Sequence, residues 1–447
     1  MTLHKHIHFI GIGGISMSAL AFILLEYGIE VSGSDGADSA LIHNLINCGA
    51  KVNTFHDAAN IGDADMVVYT AAIAADNPEL VSARHSGVRC VERADFLGEL
   101  MLDYAYPVSV SGTHGKTTTT SMLSSVLLDA GLNPTVLVGG ELPKIGGNYH
   151  IGSTRHLIFE GCEYVDSFLK FNPYAAIILN VDSDHLDYFT GIEQIKDSFN
   201  KFLKKIPPCG FAVINSDDRH APDCTDGVEC KKIYYGDNGQ YRAKNIEFYD
   251  GLPSFDVYDN DERLCRLTLG VMGTHNISNA LGVFAASVEL GVGISDICKG
   301  IASFTGIKRR FEKKGTVNGA TIYDDYAHHP TEVAATLKAA RNLPHNEIYC
   351  VFQPHTYTRT KALMDDFAIS LEAADKVIIT DIYAAREKNT VGVSAEELAE
   401  KVSGAVYIKN FDDIAAYLKA NIKQGDVVFT MGAGTVTNLF RMLEQRG

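Results

Sequence analysis

A glycine-rich segment from Gly112 to Thr118 contains the residue types that bind a nucleoside triphosphate. It follows the apolar run Val108 to Ser111 and reads Gly112-Thr113-His114-Gly115-Lys116-Thr117-Thr118. Glycines allow backbone N–H groups to surround phosphates, a lysine can reach the β and γ phosphates, and the next hydroxyl can ligate Mg²⁺. A lysine followed by threonine between a strand and a helix is hard to explain by packing alone. The segment therefore predicts an ATP site.

Two other apolar runs end in residues that could complete a metal site. Leu157 to Glu160 ends in a carboxylate, and the segment Asn180 to His185, at the end of another apolar strand, ends in an imidazole. Parallel strands have their carboxyl ends at one edge of a sheet, where ligands bind. We therefore predict that Glu160 and His185 join Thr117 in binding Mg²⁺, with Mn²⁺ as a substitute. A solvated glutamate and an ordinary surface or core histidine are the alternative interpretations.

A second glycine-rich turn lies near the start of the chain, between an apolar run and a helical stretch. Such a turn directs free N–H groups and the positive end of the helix at an anion. Ser16 stands where a dinucleotide motif has its third glycine, so a structural turn, a nicotinamide site and a site for another nucleotide diphosphate all stay open. The candidate residues here and at the end of the next strand are Gly11, Gly13, Gly14, Ser16, Ser34 and Asp35.

These motifs require sheets to position them, and the hydrophobic pattern predicts three. Short apolar runs alternate with helical stretches along the chain, which is typical of mainly parallel α/β sheets. We predict a Rossmann-like domain over residues 1–105, a central ATP-binding domain over 106–312 and a second Rossmann-like domain over 313–447. Turns at Asp237–Gly239 and Asp250–Gly251 predict antiparallel hairpins in the central part.

The composition of the whole chain excludes several classes of protein. Its 447 residues are 46% hydrophobic, enough for several packed cores. The net charge of −16 argues against a nucleic-acid partner. No apolar run approaches the roughly 20 residues of a membrane span, and no secretion signal is visible. The 9 cysteines form no CxxC pair and are predicted to be reduced thiols. We expect a cytoplasmic protein without a membrane partner.

With these motifs identified, the chain resembles the Mur ligase family, whose phosphate loop reads G-T-x-G-K-T. The resemblance extends over nearly the whole length. It rests on blocks in one order: His8 to Gly14, Asn77 to Glu79, Gly112 to Thr119, His185, Thr274 to Asn276, Lys308 to Glu312, Asp324 to Glu332 and Val351 to Thr360.

The resemblance implies an enzyme of peptidoglycan precursor synthesis. The reaction would be the ATP-dependent joining of L-alanine to the lactoyl carboxylate of UDP-N-acetylmuramate, through an acyl phosphate. The alternative within the family is the murein-recycling ligase, which attaches a tripeptide to the same sugar nucleotide. A nicotinamide dehydrogenase would leave Lys116 without a role, and a non-enzymatic nucleotide switch would form no amide.

The resemblance also implies roles in binding the nucleotides. The UDP-sugar would lie at the first glycine turn. Asn276 would contact adenine, Arg310 would meet the γ-phosphate, and Asp325 and His328 would lie against the nucleotide and the reacting groups. The alternatives are a helix N-cap for Asn276, a surface position for Arg310, and helix capping by Asp325 or His328.

The amino-acid pocket implied by the resemblance consists of Tyr326, His355 and Arg359. Arg359 can hold a carboxylate by two parallel hydrogen bonds; the alternative is a solvated loop. The predicted catalytic residues are Lys116, Arg310, His328 and Arg359. Many members of the family have arginine at the position of Thr356 and E-A-D-E-S-D at residues 160–165, so contacts around these positions differ in this chain. A monomer or weak homodimer is expected.

Overall fold

The computed structural model describes residues 4–184 and 188–444. These residues form three sheets, each made mainly of parallel strands flanked by helices. The prediction of three α/β sheets is confirmed, whereas the domain boundaries at residues 105/106 and 312/313 stay predictions. In the part of the chain that is described, no helix is both long and apolar enough to cross a membrane.

The first sheet contains the glycine turn. Its elements are β1 (His6–Ile10), α1 (Ile15–Glu26), β2 (Glu30–Ser34), α2 (Ala40–Asn47), β3 (Lys51–Asn53), β4 (Met66–Tyr69), α3 (Pro78–His85), β5 (Arg89–Glu92) and α4 (Arg93–Leu100). The strands lie in the order β3-β2-β1-β4-β5 and are parallel throughout. Central strand β1 is completely buried, as a parallel strand covered on both faces must be.

The second sheet contains the ATP loop. Its elements are β6 (Tyr106–Ser111), α5 (Lys116–Asp129), β7 (Pro134–Leu142), β8 (Gly147–His150), β9 (Ser153–Gly161), β10 (Ala175–Ile178), α6 (Ile192–Leu203), β11 (Phe211–Asn215), β12 (Lys231–Tyr235), β13 (Tyr241–Tyr249), β14 (Leu252–Asp259), β15 (Glu262–Thr268), α7 (His275–Glu289) and α8 (Ile294–Ser303). The order is β15-β14-β13-β12-β11-β10-β6-β9-β7-β8. Strand β6 therefore lies between β10 and β9, and is parallel to both.

The third sheet follows in the C-terminal part of the chain. Its elements are β16 (Glu312–Val317), β17 (Ala320–Asp325), α9 (Pro330–Ala340), β18 (Ile348–Phe352), α10 (Tyr357–Ala362), α11 (Met364–Leu371), β19 (Lys376–Ile379), α12 (Ala395–Lys401), β20 (Val406–Tyr407), α13 (Phe411–Asn421), β21 (Val427–Met431) and α14 (Leu439–Glu444). The order is β16-β17-β21-β18-β19-β20, with only the β16–β17 pair antiparallel among these described strands.

By internal packing, the chain forms two compact units. The first contains the described residues up to Arg242, with Tyr258–Leu264 and Asn279–Ile301. The second contains Ala243–Val257, Cys265–Ser278 and the described residues from Ala302 onwards. The glycine turn and the ATP loop thus belong to the first unit, and the third sheet with the start of α7 belongs to the second.

One predicted hairpin is wrong. The turn at Asp237–Gly239 does not join antiparallel strands, because Tyr235 of β12 and Tyr241 of β13 form a parallel pair. Gly236, at φ +112°, allows the chain to loop so that β13 continues in the direction of β12. The second turn, Asp250–Gly251, does connect two neighbours in the sheet, β13 and β14.

Candidate active site

The ATP loop lies between the ends of the two strands that pair with β6. Ser111, the last residue of β6, is level with Gly161 of β9 and with Ile178 of β10. Residues that follow those two strands are therefore placed beside the loop. Helix α5 begins at Lys116, inside the predicted ATP loop, because Gly115 at φ +84° ends the turn. Backbone N–H groups at the start of a helix can bind phosphate.

Asn180, which follows β10, holds the loop in its conformation. The His114 N–H donates to Asn180 Oδ1 (2.8 Å), and Asn180 Nδ2 donates to the His114 carbonyl (3.0 Å). The Thr113 N–H donates to the Asn180 carbonyl (3.1 Å), and the Asp182 N–H donates to Thr113 Oγ1 (2.9 Å). These bonds hold the loop without a ligand, which lowers the entropy lost when phosphate binds. Predicted metal ligand His185 lies outside the described residues.

Lys116 is largely buried and lies beside the carboxylate of Glu163. Its Nζ donates to the Gly112 carbonyl (2.5 Å), the Thr113 carbonyl (3.0 Å) and Glu163 Oε2 (3.1 Å). The Glu163 side chain is only 2% exposed. Burial alone would lower the pKa of Lys116, but the nearby carboxylates, above all Glu163, raise it. The lysine is therefore a permanent cation at the position expected for phosphate.

Thr117 and Glu160 provide two oxygen ligands suited to Mg²⁺. Thr117 Oγ1 donates to Glu160 Oε2 (3.0 Å), and the Gly139 N–H donates to Glu160 Oε1 (2.5 Å). Among the described residues, no three His, Cys, Asp or Glu side chains form a metal-binding group. A hydroxyl and one carboxylate fit a Mg²⁺ ion that keeps several waters and binds mainly to substrate phosphates. The pair would hold the ion beside Lys116.

The glycine turn of the first unit brings together the residues predicted to bind the UDP-sugar. The N–H groups of Gly11 and Ile12 donate to the Ser34 carbonyl (2.8 and 3.0 Å), and the Gly13 N–H donates to Asp35 Oδ2 (2.9 Å). Gly14 precedes α1 without a side-chain cap, and Ser16 follows in its first turn. The N-terminus of α1 is thus available to an anion.

Glu79 is a buried carboxylate behind this turn, and we gave it no role from the sequence. Its side chain is 0% exposed and accepts from Ser34 Oγ (2.5 Å) and Asn60 Nδ2 (2.6 Å). Burial alone would raise the pKa of Glu79, but the nearby His8 imidazole and hydrogen bonds from Ser34 and Asn60 lower it to about 2. Glu79 follows Pro78 at the start of α3, where an acidic residue usually serves the helix end. The position of Glu79 in the sequence therefore did not distinguish a buried carboxylate from an ordinary residue at a helix end.

In the second unit, five predicted residues form one continuous row. The Arg310 guanidinium lies 5.3 Å from the centre of the Tyr326 ring, which lies 5.3 Å from the His328 ring. The His328 ring is 5.7 Å from the His355 ring, and Arg359 Nη1 is 3.4 Å from His355 Nδ1. They gather because they follow β17 and β18 at the carboxyl edge of the sheet or, for Arg310, precede β16. The row has an arginine at each end.

The row combines permanent cations with neutral imidazoles. Burial, with His328 and Arg359 nearby, lowers the pKa of His355 to about 4. Burial also lowers the pKa of His328. At neutral pH the two rings are uncharged, so Arg310 and Arg359 provide the positive charge. An anion in this row is therefore expected to bind at one of the two ends.

Asp325 holds the segment that carries Arg310. Its two carboxylate oxygens accept from the N–H groups of Phe311 and Ala327, each at 2.8 Å. Burial raises the pKa of Asp325 to about 6, although Arg310 opposes the shift. The carboxylate thus connects the end of β17 to the residue after Arg310. It is not a helix cap, since His329 caps α9.

Asn276 lies in the first turn of α7, which begins at His275, so the N-cap interpretation is wrong. Its Nδ2 donates to the Met272 carbonyl (2.7 Å), and the residue is 6% exposed. Adenine recognition by Asn276 stays a prediction.

Tyr383 is a neighbour of the row that we did not predict. Its ring stacks on that of His355 at 5.7 Å, and its N–H donates to the Pro354 carbonyl (2.8 Å). The Thr356 N–H donates to the Tyr383 carbonyl (2.9 Å), and Thr356 has φ +64°. Tyr383 follows β19, and its position after a parallel strand could have identified it.

Three domain families match successive parts of the chain. The Mur ligase family catalytic domain matches residues 6–105, the Mur ligase middle domain matches 110–287, and the glutamate ligase domain of Mur ligases matches 309–434. The chain belongs to the Mur ligase family. The matches include both glycine-rich turns and the row of the second unit.

Named relatives of this Mur ligase chain cover nearly all of it. A UDP-N-acetylmuramate–L-alanine ligase of Clostridium novyi is 50% identical over 444 residues, which is 98% of this chain and 97% of the relative. The Acetivibrio thermocellus protein of the same name is 50% identical over 446 residues, 98% and 95% of the two chains.

The solved structure of the UDP-N-acetylmuramate-alanine ligase from Thermotoga maritima is 28% identical. It has a TM-score of 0.81 and 98% coverage of each chain. A murein peptide ligase from Psychrobacter arcticus is 25% identical, with a TM-score of 0.71 and the same coverage. The chain is thus similar in structure to both kinds of ligase.

Proposed function

We propose that this chain is an ATP-dependent ligase that joins L-alanine to the lactoyl carboxylate of UDP-N-acetylmuramate, in peptidoglycan precursor synthesis. The observation that carries the proposal is the 50% identity, over 98% of the chain, to a ligase named for this reaction. The local geometry is consistent with it, since a cationic phosphate loop suits ATP and Arg359 suits the carboxylate of an amino acid.

The first unit activates the carboxylate. The lactoyl carboxylate oxygen attacks the γ-phosphorus, and ADP leaves with the electrons of the broken bond. Lys116 offsets the negative charge that develops on the phosphate oxygens. Thr117 and Glu160 would hold Mg²⁺, which supplies Lewis-acid stabilisation of the same charge. The product of this step is an acyl phosphate. A role of Arg310 in binding the phosphoryl group stays a prediction.

The second unit prepares the amine. Arg359 binds the alanine carboxylate by two hydrogen bonds. His328 Nδ1 lies 3.0 Å from the Tyr326 carbonyl, which can only accept, so Nδ1 carries the proton and Nε2 is the basic nitrogen. We assign to Nε2 the proton that alanine must lose. The free amine then attacks the acyl carbon, and phosphate leaves from the tetrahedral intermediate.

The murein-recycling reaction is the second candidate, because the Psychrobacter arcticus murein peptide ligase also covers 98% of the chain. Its lower TM-score, 0.71 against 0.81, and the names of the 50% identical relatives favour alanine. Cytoplasmic location and a monomeric or weakly dimeric state stay predictions.

The test is amide formation and phosphate release with UDP-N-acetylmuramate, MgATP and a panel of amine substrates. Alanine should be preferred over glycine by roughly tenfold, because one methyl group in an apolar pocket contributes only a little more than about 1 kcal/mol. UDP-N-acetylglucosamine, which lacks the lactoyl carboxylate, is the matched control and should give no amide. A preference for the tripeptide over alanine would assign the recycling reaction, and phosphate release without amide would exclude a ligase.

A further inference from the structure

A cavity of about 300 Å³ lies in the first unit between the glycine turn and Glu160. Ile15 and Ser16, at the start of α1, form one wall, and Gly139 with Glu160 forms another. Asn148 Nδ2 donates to the Ile15 carbonyl (3.2 Å) and connects the two walls. The cavity therefore extends from the proposed sugar-nucleotide turn to the proposed metal ligand.

Arg93 is the only cationic side chain among the described residues that line this cavity. Its guanidinium forms no hydrogen bond or ion pair with any part of the chain that the structure describes. Glu160 lines the same cavity, but its two oxygens accept from Thr117 and Gly139. Burial lowers the pKa of Arg93, against the opposing effect of the neighbouring Glu92 carboxylate.

A guanidinium that lines a cavity and forms no ion pair is expected to bind an anion. The guanidinium has five N–H donors and no acceptor, and its geometry matches phosphate and carboxylate oxygens. A desolvated charge without a partner is costly, so side chains of this kind are normally paired. Arg89, on the preceding strand, is half exposed and pairs with Glu99. The partner that Arg93 lacks among the described residues would come from a ligand.

The position of Arg93 indicates which ligand. It is the first residue of α4, directly after β5, at the same edge of the sheet as the glycine turn. In the order β1-β4-β5, these two strands are separated by two strand spacings, about 10 Å. An arginine side chain can extend across much of that distance. The group it meets would therefore belong to the molecule held at the turn.

We propose that Arg93 is a substrate-binding residue that pairs with an anionic group of the sugar nucleotide inside this cavity. The inference rests on the proposed function and deepens it. The sugar nucleotide carries two kinds of anion, the diphosphate and the lactoyl carboxylate, and both match the guanidinium.

The test is calorimetric binding of four ligands to the full chain and to the variants Arg93→Met and Arg93→Lys. UDP, UDP-N-acetylglucosamine and UDP-N-acetylmuramate probe the cavity, and ADP reports on the separate ATP loop. Methionine preserves most of the apolar length but removes the charge, while lysine retains the charge without the paired donors. Arg89→Met, which breaks an exposed ion pair, is the matched control and should leave all four affinities unchanged.

We expect UDP-N-acetylmuramate to bind Arg93→Met about 10 to 100 times more weakly, with a smaller loss for Arg93→Lys. An equal loss for all three uridine ligands identifies the diphosphate as the partner. A loss confined to UDP-N-acetylmuramate identifies the lactoyl carboxylate. Unchanged affinity for all three, or an equal loss of ADP binding, would overturn the proposal. Amide formation by the wild-type chain is measured separately, so the proposed function can stand even if Arg93 has no part in it.

Discussion

Replacing Lys116 with methionine should damage both the stability and the chemistry of this Mur ligase, and the two effects can be separated. In the structure, Lys116 Nζ is 3.1 Å from Glu163 Oε2, and the Glu163 side chain is 2% exposed. Lys116→Met leaves that carboxylate buried without its cation. Breaking a buried pair in this way costs about 3 to 5 kcal/mol of unfolding free energy.

The assay combines urea unfolding with amide formation on three variants. Lys116→Met should lose the stability stated above and at least about 90% of the ligation rate, equivalent to over 1.4 kcal/mol in the barrier. Lys116→Met/Glu163→Gln should regain most of the stability, because the buried charge is gone, but none of the activity. Lys144→Met, which breaks the exposed pair with Asp129, should cost less than about 1 kcal/mol.

Two results would refute this reasoning. If the double variant is no more stable than Lys116→Met, Lys116 is not the group that compensates the buried charge of Glu163. If Lys116→Met ligates at near the wild-type rate, the lysine does not serve the phosphates. UDP-sugar affinity should be unchanged in all three variants, because the sugar nucleotide is assigned to the other glycine turn. An equal loss of that affinity would mean that the two turns bind one ligand.

Three other predictions follow from the site. Glu160→Gln should raise the Mg²⁺ concentration required for half-maximal phosphate release by at least roughly tenfold, because the ion loses its protein carboxylate; an unchanged Mg²⁺ titration would remove Glu160 from the metal site. Arg359→Lys should raise the alanine KM far more than the ATP KM in steady-state assays, because lysine lacks the two parallel donors; an equal rise would indicate that Arg359 binds a phosphate. Asp325, with its pKa raised from 3.8 to about 6, ionises less readily when folded, so stability should fall by up to about 3 kcal/mol as pH rises through that interval. Urea unfolding at pH 4.5 and 7 should show this fall in the wild type and not in Asp325→Asn, and equal slopes would show that Asp325 titrates normally.

The features that the sequence predicted are those with a local cause. Glycines at the turn after β1 and in the ATP loop adopt backbone conformations that favour glycine, such as φ +84° at both Gly11 and Gly115. These turns therefore have a signature within a few residues. Alternation of apolar runs and helical stretches likewise predicted three mainly parallel sheets, because burial on both faces requires continuous apolar strands. The error arose at Asp237–Gly239, where the turn residues do not determine whether the next strand pairs parallel or antiparallel.

The contacts that make the site depend on the order of strands, which no local pattern contains. Lys116 follows β6 and Glu163 follows β9, and they meet only because these strands are neighbours in the sheet. The same dependence applies to Tyr383 against His355. It also applies to Arg93, because only the tertiary structure shows that no described residue forms a hydrogen bond or ion pair with its guanidinium. Residue types and turn chemistry thus determined which groups could bind ATP, a sugar nucleotide and a carboxylate. Tertiary packing decided which charges compensate one another, because that depends on desolvation and distance between segments far apart in the chain.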